Sequence, residues 1–234
     1  MHRGMSSGAE HPAITPEAAT RIFLRPIATP FPLGFLGLAC ATLLLSGRQL
    51  GWFSPPDGRE VALVILAVGA PLLLLASIFG FLARDTLAAT GLGVSGATWL
   101  LIGLSTLLRP APHTDHALGV FLLMAAAAVA VPALPSAAMK VIPALVLMLT
   151  AVRFLLTGLY ELTASTTIED IAGTIGLILV AAAVYAALAL EVESAKRHTV
   201  LPVLRRGMAR EAVSGSLADQ VTRIEHEPGV REQL

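Results

Sequence analysis

Hydrophobic residues along this chain come in long blocks rather than in alternation. Reading from charge to charge gives six runs: Pro26 to Gly47, Val61 to Ala83, Thr86 to Leu108, Ala117 to Met139, Val141 to Tyr160 with Arg153 as its one charge, and Ile171 to Leu190. A bilayer core about 30 Å thick needs roughly 20 apolar residues of helix to cross it, so each run is predicted to span a membrane. Backbone facing lipid must satisfy its hydrogen bonds within its own segment. The alternating short strands that a barrel would show are absent. The predicted fold class is therefore all-α, a polytopic membrane protein built as a six-transmembrane-helix bundle. It divides into a polar N-terminal segment (1–25), a transmembrane domain (26–190) and a partly disordered C-terminal tail (191–234).

Composition agrees with that reading. Hydrophobic residues make up 55% of the chain and mean hydropathy is +0.76, far above soluble averages, with aromatics at only 5%. Charge then orients the bundle. With six spans, the N-terminus, the loops at Arg84 and Lys140 and the tail share one side and hold twelve Lys and Arg, against three in the opposite loops. The positive-inside tendency predicts both termini in the cytoplasm, in a plasma (inner) membrane. No cleavable signal peptide is expected, because the residues before Arg25 are polar and include Pro12 and Pro16. Sixteen acidic and sixteen basic residues cancel, so nothing points to nucleic acid.

Chemistry outside the spans is sparse. Loops of at most about a dozen residues, such as the one around Ser54, Pro55 and Pro56, leave no room for a second globular domain. In the tail, Leu217, Val221 and Ile224 have helical spacing, whereas Gly207, Gly215, Pro228 and Gly229 fit a disordered segment equally well. Arg205, Arg206 and Arg210 could meet anionic membrane lipid. The single cysteine, Cys40, excludes an intrachain disulfide and a cysteine metal cluster. All six histidines lie outside the spans, and His113 and His116 in one short loop are better read as solvated than as ligands. With no paired nucleophile and base and no Walker motif, the chain is read as a non-enzyme without metal or cofactor.

Inside the spans two features stand out. The first span opens Ala28-Thr29-Pro30-Phe31-Pro32-Leu33-Gly34, and glycines crowd the third (Gly91, Gly93, Gly96) and sixth (Gly173, Gly176). Small residues allow close helix packing. Pro30 and Pro32 would also free carbonyls that a solute could use. The second feature is Arg153. An intramembrane cation costs roughly 2.5 to 3.5 kcal/mol on insertion scales and is a functional candidate by default, and a guanidinium suits a carboxylate. Alternatively, Arg153 could snorkel to the boundary or pair with Glu161, Glu169 or Asp170.

Three stretches carry a resemblance. ATPFPLGFLGL at Ala28 to Leu38 resembles the NPAPLGLxGFG signature of the acetate uptake transporters, the succinate and acetate permeases of microbes. Asp85-Thr86 through Gly96 to Trp99 is similar to that family's GNTFGxTAFTSYGxFW segment, and the sixth span running into His198-Thr199-Val200-Leu201-Pro202 resembles its AGxxGxxxGxxAxYxAxAE and RTVLP. There are departures. Thr29 stands for the family's Asn, Asp85 for the Asn of GNTF, Leu38 for the GFG aromatic and Ser95 for the tyrosine, while Leu73 and Gly80 replace the Gln and Glu of its second span. The family's narrow constriction corresponds to Leu38, Ser95 and Leu149.

The resemblance implies a transporter or channel for a small monocarboxylate such as acetate, with a proton as possible co-substrate, assembled as a hexamer with one pathway per protomer. The implied pathway starts at Thr29, Pro30 and Leu33, passes Leu38, Ser95 and Leu149, and meets hydroxyls at Thr98, Thr150 and Tyr185, with Arg153 as a further candidate contact. Two alternatives remain at this point: a channel for neutral solutes such as urea, amides or ammonia, and a non-transporting membrane protein serving assembly or regulation.

Overall fold

The computed structural model describes residues 27–108, 114–196, 200–204 and 206. The N-terminal segment, the tail positions Leu217, Val221 and Ile224, and His113 lie outside the described residues. Among the described residues, six helices are long and apolar enough to cross a membrane. They are α1 (Phe31–Gln49), α2 (Gly58–Leu82), α3 (Leu87–Leu108), α4 (His116–Ser136), α5 (Val141–Thr163) and α6 (Thr166–Lys196). Among the described residues there is no strand. The chain runs up and down, with α1 packed along α6, α4 along α5, and α5 and α6 against each other, while α2 contacts α1 and α3.

Helix boundaries follow local chemistry. Pro30 occupies the N-cap of α1 and Pro32 its first turn, where the missing N–H has no intrahelical acceptor to lose. The prolines therefore start the helix, and the expectation that they free carbonyls within a span is corrected. At the α4 start, the Asp115 carboxylate accepts from the amides of Ala117 and Leu118 at 3.0 and 3.3 Å, filling the N-cap role. Ahead of α2, Asp57 accepts from the hydroxyl and amide of Ser54 at 2.7 and 2.9 Å, which holds its carboxyl below the usual range. Helix α6 extends six residues past Leu190, to Lys196, and begins with Glu169 in its first turn, a favourable place for an acid beside the helix dipole.

The departures from regular helix lie elsewhere. Both α2, at Ile65–Gly69, and α3, at Leu87–Leu92, contain a π-helical turn, a widening that accommodates an extra residue. Its cost in carbonyls is met in part by a neighbour, since the Ser77 hydroxyl of α2 donates to the Ala89 carbonyl of α3 at 2.6 Å. Crossings are tight where side chains are missing. A β-carbon on Gly37 would stand 3.1 Å from the Gly69 carbonyl, and one on Gly158 would stand 2.9 Å from the Gly119 carbonyl. Close packing is thus the role of these glycines. Outward faces stay apolar, with Phe81, Met124 and Val131 each about two-thirds exposed, which suits lipid or a neighbouring subunit.

Only Ala164 and Ser165 join α5 to α6, and Ala164 adopts a left-handed conformation (φ 52°) with its amide bonded to the Tyr160 carbonyl at 2.8 Å. A non-glycine residue there is strained by about 1 kcal/mol. Ala164→Gly is therefore expected to raise the melting temperature of the protein in detergent, and a lower one would show that the turn is not set by this strain.

Candidate functional site

The bundle has a shallow cavity at each end. At the end where α1 begins, Thr29, Phe31, Asp85, Lys140, Pro143 and Val203 line a cavity of about 150 Å³. Here the Lys140 ammonium pairs with Asp85 and lies 5.7 Å from the centroid of the Phe31 ring. Residues after α6 cover this mouth. Val203 is buried, the Arg206 amide donates to the Met139 carbonyl at 2.9 Å, and the Tyr185 hydroxyl donates to the Pro202 carbonyl at 3.1 Å. At the opposite end a cavity of about 20 Å³ is bordered by Arg48, Gln49, Thr106, Thr157, Tyr160 and Glu169. Arg48 donates to the Thr106 hydroxyl at 3.2 Å, and Glu161 accepts from the Asp115 amide at 2.7 Å.

Between the mouths the interior is closed. Leu38, Ser95, Thr98, Leu147 and Thr150 have no exposure. Three hydroxyls are tied to their own helices, Ser95 to the Gly91 carbonyl, Thr98 to Val94 and Thr150 to Val146, at 2.7, 2.8 and 2.9 Å. With its proton engaged in this way, each oxygen can still accept a hydrogen bond. Leu147 fills the space beside Gly91, where a β-carbon would come within 2.4 Å of its side chain. Leu149, the sequence-assigned leucine, is half-buried, as is Leu33, while Pro30 is buried. Tyr185 sits on the outer face, bonded to Pro202, and so apart from the interior hydroxyls.

Arg153 neither snorkels nor pairs with Glu161, Glu169 or Asp170. It shares a helix face with Val146, Thr150 and Thr157, all buried, and its side chain has no exposure. One terminal nitrogen is 3.3 Å from the Ser46 hydroxyl of α1 and the other 3.4 Å from the Thr157 hydroxyl. Both are long for hydrogen bonds. Nε has no partner, and among the described residues no carboxylate forms an ion pair with this guanidinium. The effective penalty for a buried ion is several kcal/mol unless it is compensated.

Sequence reading missed the partners on α1. Thr42, Ser46 and Gln49 follow Leu38 at intervals of four, four and three residues, placing all four on one buried face. Thr42 Oγ1 and Gln49 Oε1 have no hydrogen-bond partner, and Gln49 borders the cavity at that end. Polar residues at helical spacing inside an apolar span were the available signal.

A bundle of six apolar helices with a mouth at each end and a polar interior stripe is the architecture of a multi-pass membrane channel or transporter. The sequence profile of the GPR1/FUN34/yaaH family matches residues 11–205, and the chain belongs to that family. A solved structure of the bacterial acetate channel SatP is similar, with a TM-score of 0.65 and 26% identity over 75% of this chain and 98% of that one. No curated protein sequence matches the chain.

The Lys140 and Asp85 side chains are partly exposed, so their attraction is limited to about 1 kcal/mol or less and is screened by salt. Asp85→Ala is expected to lower the melting temperature modestly at low salt, with the difference shrinking at 1 M salt. A loss unaffected by salt would assign Asp85 to packing or capping through its bond to the Ala88 amide instead.

Proposed function

We propose that this protein moves a small monocarboxylate such as acetate across a plasma (inner) membrane, as a channel or transporter rather than an enzyme. The observation that carries the reading is the buried polar face Leu38–Thr42–Ser46–Gln49 of α1, which leads toward one mouth inside a bundle similar to an acetate channel. The pathway runs between Thr29, Pro30 and Leu33 at one end and the Gln49 mouth at the other, past the narrowing at Leu38, Ser95 and the fifth-helix leucines. Hydroxyls at Thr98 and Thr150 offer acceptor oxygens to a protonated acid, which supports proton coupling. The excess of Lys and Arg on the α1-start side supports cytoplasmic termini. The apolar outer faces support a homo-oligomer, a hexamer by family resemblance, with one pathway in each protomer.

Conduction requires movement, because the interior is closed at Ser95. That closure is also the one observation favouring a membrane protein that transports nothing. Uptake of radiolabelled acetate into proteoliposomes decides between them. Flux above empty vesicles, stimulated by an inward proton gradient, is expected. Gradient-independent urea flux would favour a neutral-solute channel, and no flux of any small solute the non-transporting reading.

A bulky ring at position 95 should block the narrowing. Ser95→Trp is expected to reduce acetate flux to background while the protein still assembles, and undiminished uptake would remove Ser95 from the pathway.

A further inference from the structure

The interior offers two kinds of polar contact. Ser95, Thr98 and Thr150 have committed their protons to helix carbonyls and are left as acceptors. Arg153 is the opposite, since a guanidinium has five N–H donors and no acceptor. It has no exposure, its two contacts are long, and its Nε is unpartnered. Around it the helices pack closely. A β-carbon on Gly176 of α6 would lie 2.0 Å from Ser46 Oγ and 2.8 Å from Arg153 Nε, so only glycine permits this arrangement. Unpartnered oxygens of Thr42 and Gln49 lie on the same face of α1 as Ser46, and Thr157 and Gln49 connect the site to the mouth.

We propose that Arg153, with Ser46 and Thr157 beside it and Gly176 as its floor, binds the carboxylate group of the travelling solute in its anionic form. This rests on the monocarboxylate reading and adds to it the residue that selects charge. The guanidinium supplies the positive charge and paired donors that match a carboxylate, and the solute supplies the counter-charge that the protein withholds. A neutral isostere satisfies the acceptor hydroxyls but not this site. Selection for the anion therefore occurs in the half of the bundle near Gln49.

Purified full-length protein in detergent, titrated at constant ionic strength with sodium acetate, acetamide or sodium chloride while its melting temperature is followed, tests the site. Acetate uptake into proteoliposomes is measured on the same preparations. Wild type is expected to be stabilised saturably by acetate, much less by chloride and not by acetamide. Arg153→Met and Gly176→Ala should raise the half-saturating acetate concentration roughly tenfold or more and slow uptake in parallel. If Arg153→Met does not fold, Arg153→Lys, which keeps the charge but not the fork, should still weaken the acetate response several-fold.

An acetate response retained in Arg153→Met, or in both Gly176→Ala and Arg153→Lys, would overturn the assignment, as would equal stabilisation by acetamide or chloride. Uptake by wild type and Arg153→Met at the same rate would sink this inference alone. Absence of uptake by wild type would overturn the monocarboxylate reading and this inference with it.

Discussion

In a bilayer core no solvent is available to answer a bare amide or carbonyl, and that single constraint shapes this molecule. It turns six apolar runs into helices and, at the start of α1, places Pro30 and Pro32 where an N–H is not needed. It also explains why irregular backbone gains from a neighbour's support. The π-turn in α3 is tolerated where the Ser77 hydroxyl reaches across from α2 to the Ala89 carbonyl, and glycines let the helices come close enough for such bonds. Interior polar groups are subject to the same demand. Ser95, Thr98, Thr150 and Thr157 meet it by bonding back to their own helices.

Arg153 does not meet it. The surrounding structure gives the guanidinium two distant hydroxyls and no carboxylate, although Glu161 stands about two turns further along α5 at the mouth. Glu161 is held by the Asp115 amide and faces that cavity. The polar interior is consequently asymmetric. Hydroxyls bonded back to their own helices cluster around the middle of α3 and α5, and the guanidinium of Arg153 reaches from the middle of α5 toward Ser46 on α1. A bundle designed only for assembly has no need of such a division, whereas a pathway that handles an ionisable solute can use both halves.

Much of this architecture was legible in the sequence, and the exceptions have physical reasons. The six spans emerge to within a few residues because charge is so costly in lipid that it punctuates the chain. The family resemblance was legible at Ala28 to Leu38 and again at Thr199 to Pro202. The π-turns were not, since Ile65–Gly69 and Leu87–Leu92 are as apolar as their flanks and hydropathy carries no information about helical pitch. Tyr185 was grouped with the pathway hydroxyls by type, yet its position on α6 turns it outward to Pro202. For Arg153, distance along the helix to the boundary was visible but rotation was not. The side chain points at α1, and Ser46, its partner there, is 107 positions away in sequence.

The segment that follows α6 is stitched to the bundle at three points: Pro202 to Tyr185, Val203 into the wide mouth, and Arg206 to the turn before Lys140. Tension on the chain beyond Arg206 would therefore be felt by the same turn that carries the ammonium facing Asp85. Whatever grips the tail holds a lever on that doorway, and a reporter fused there is mechanically continuous with it.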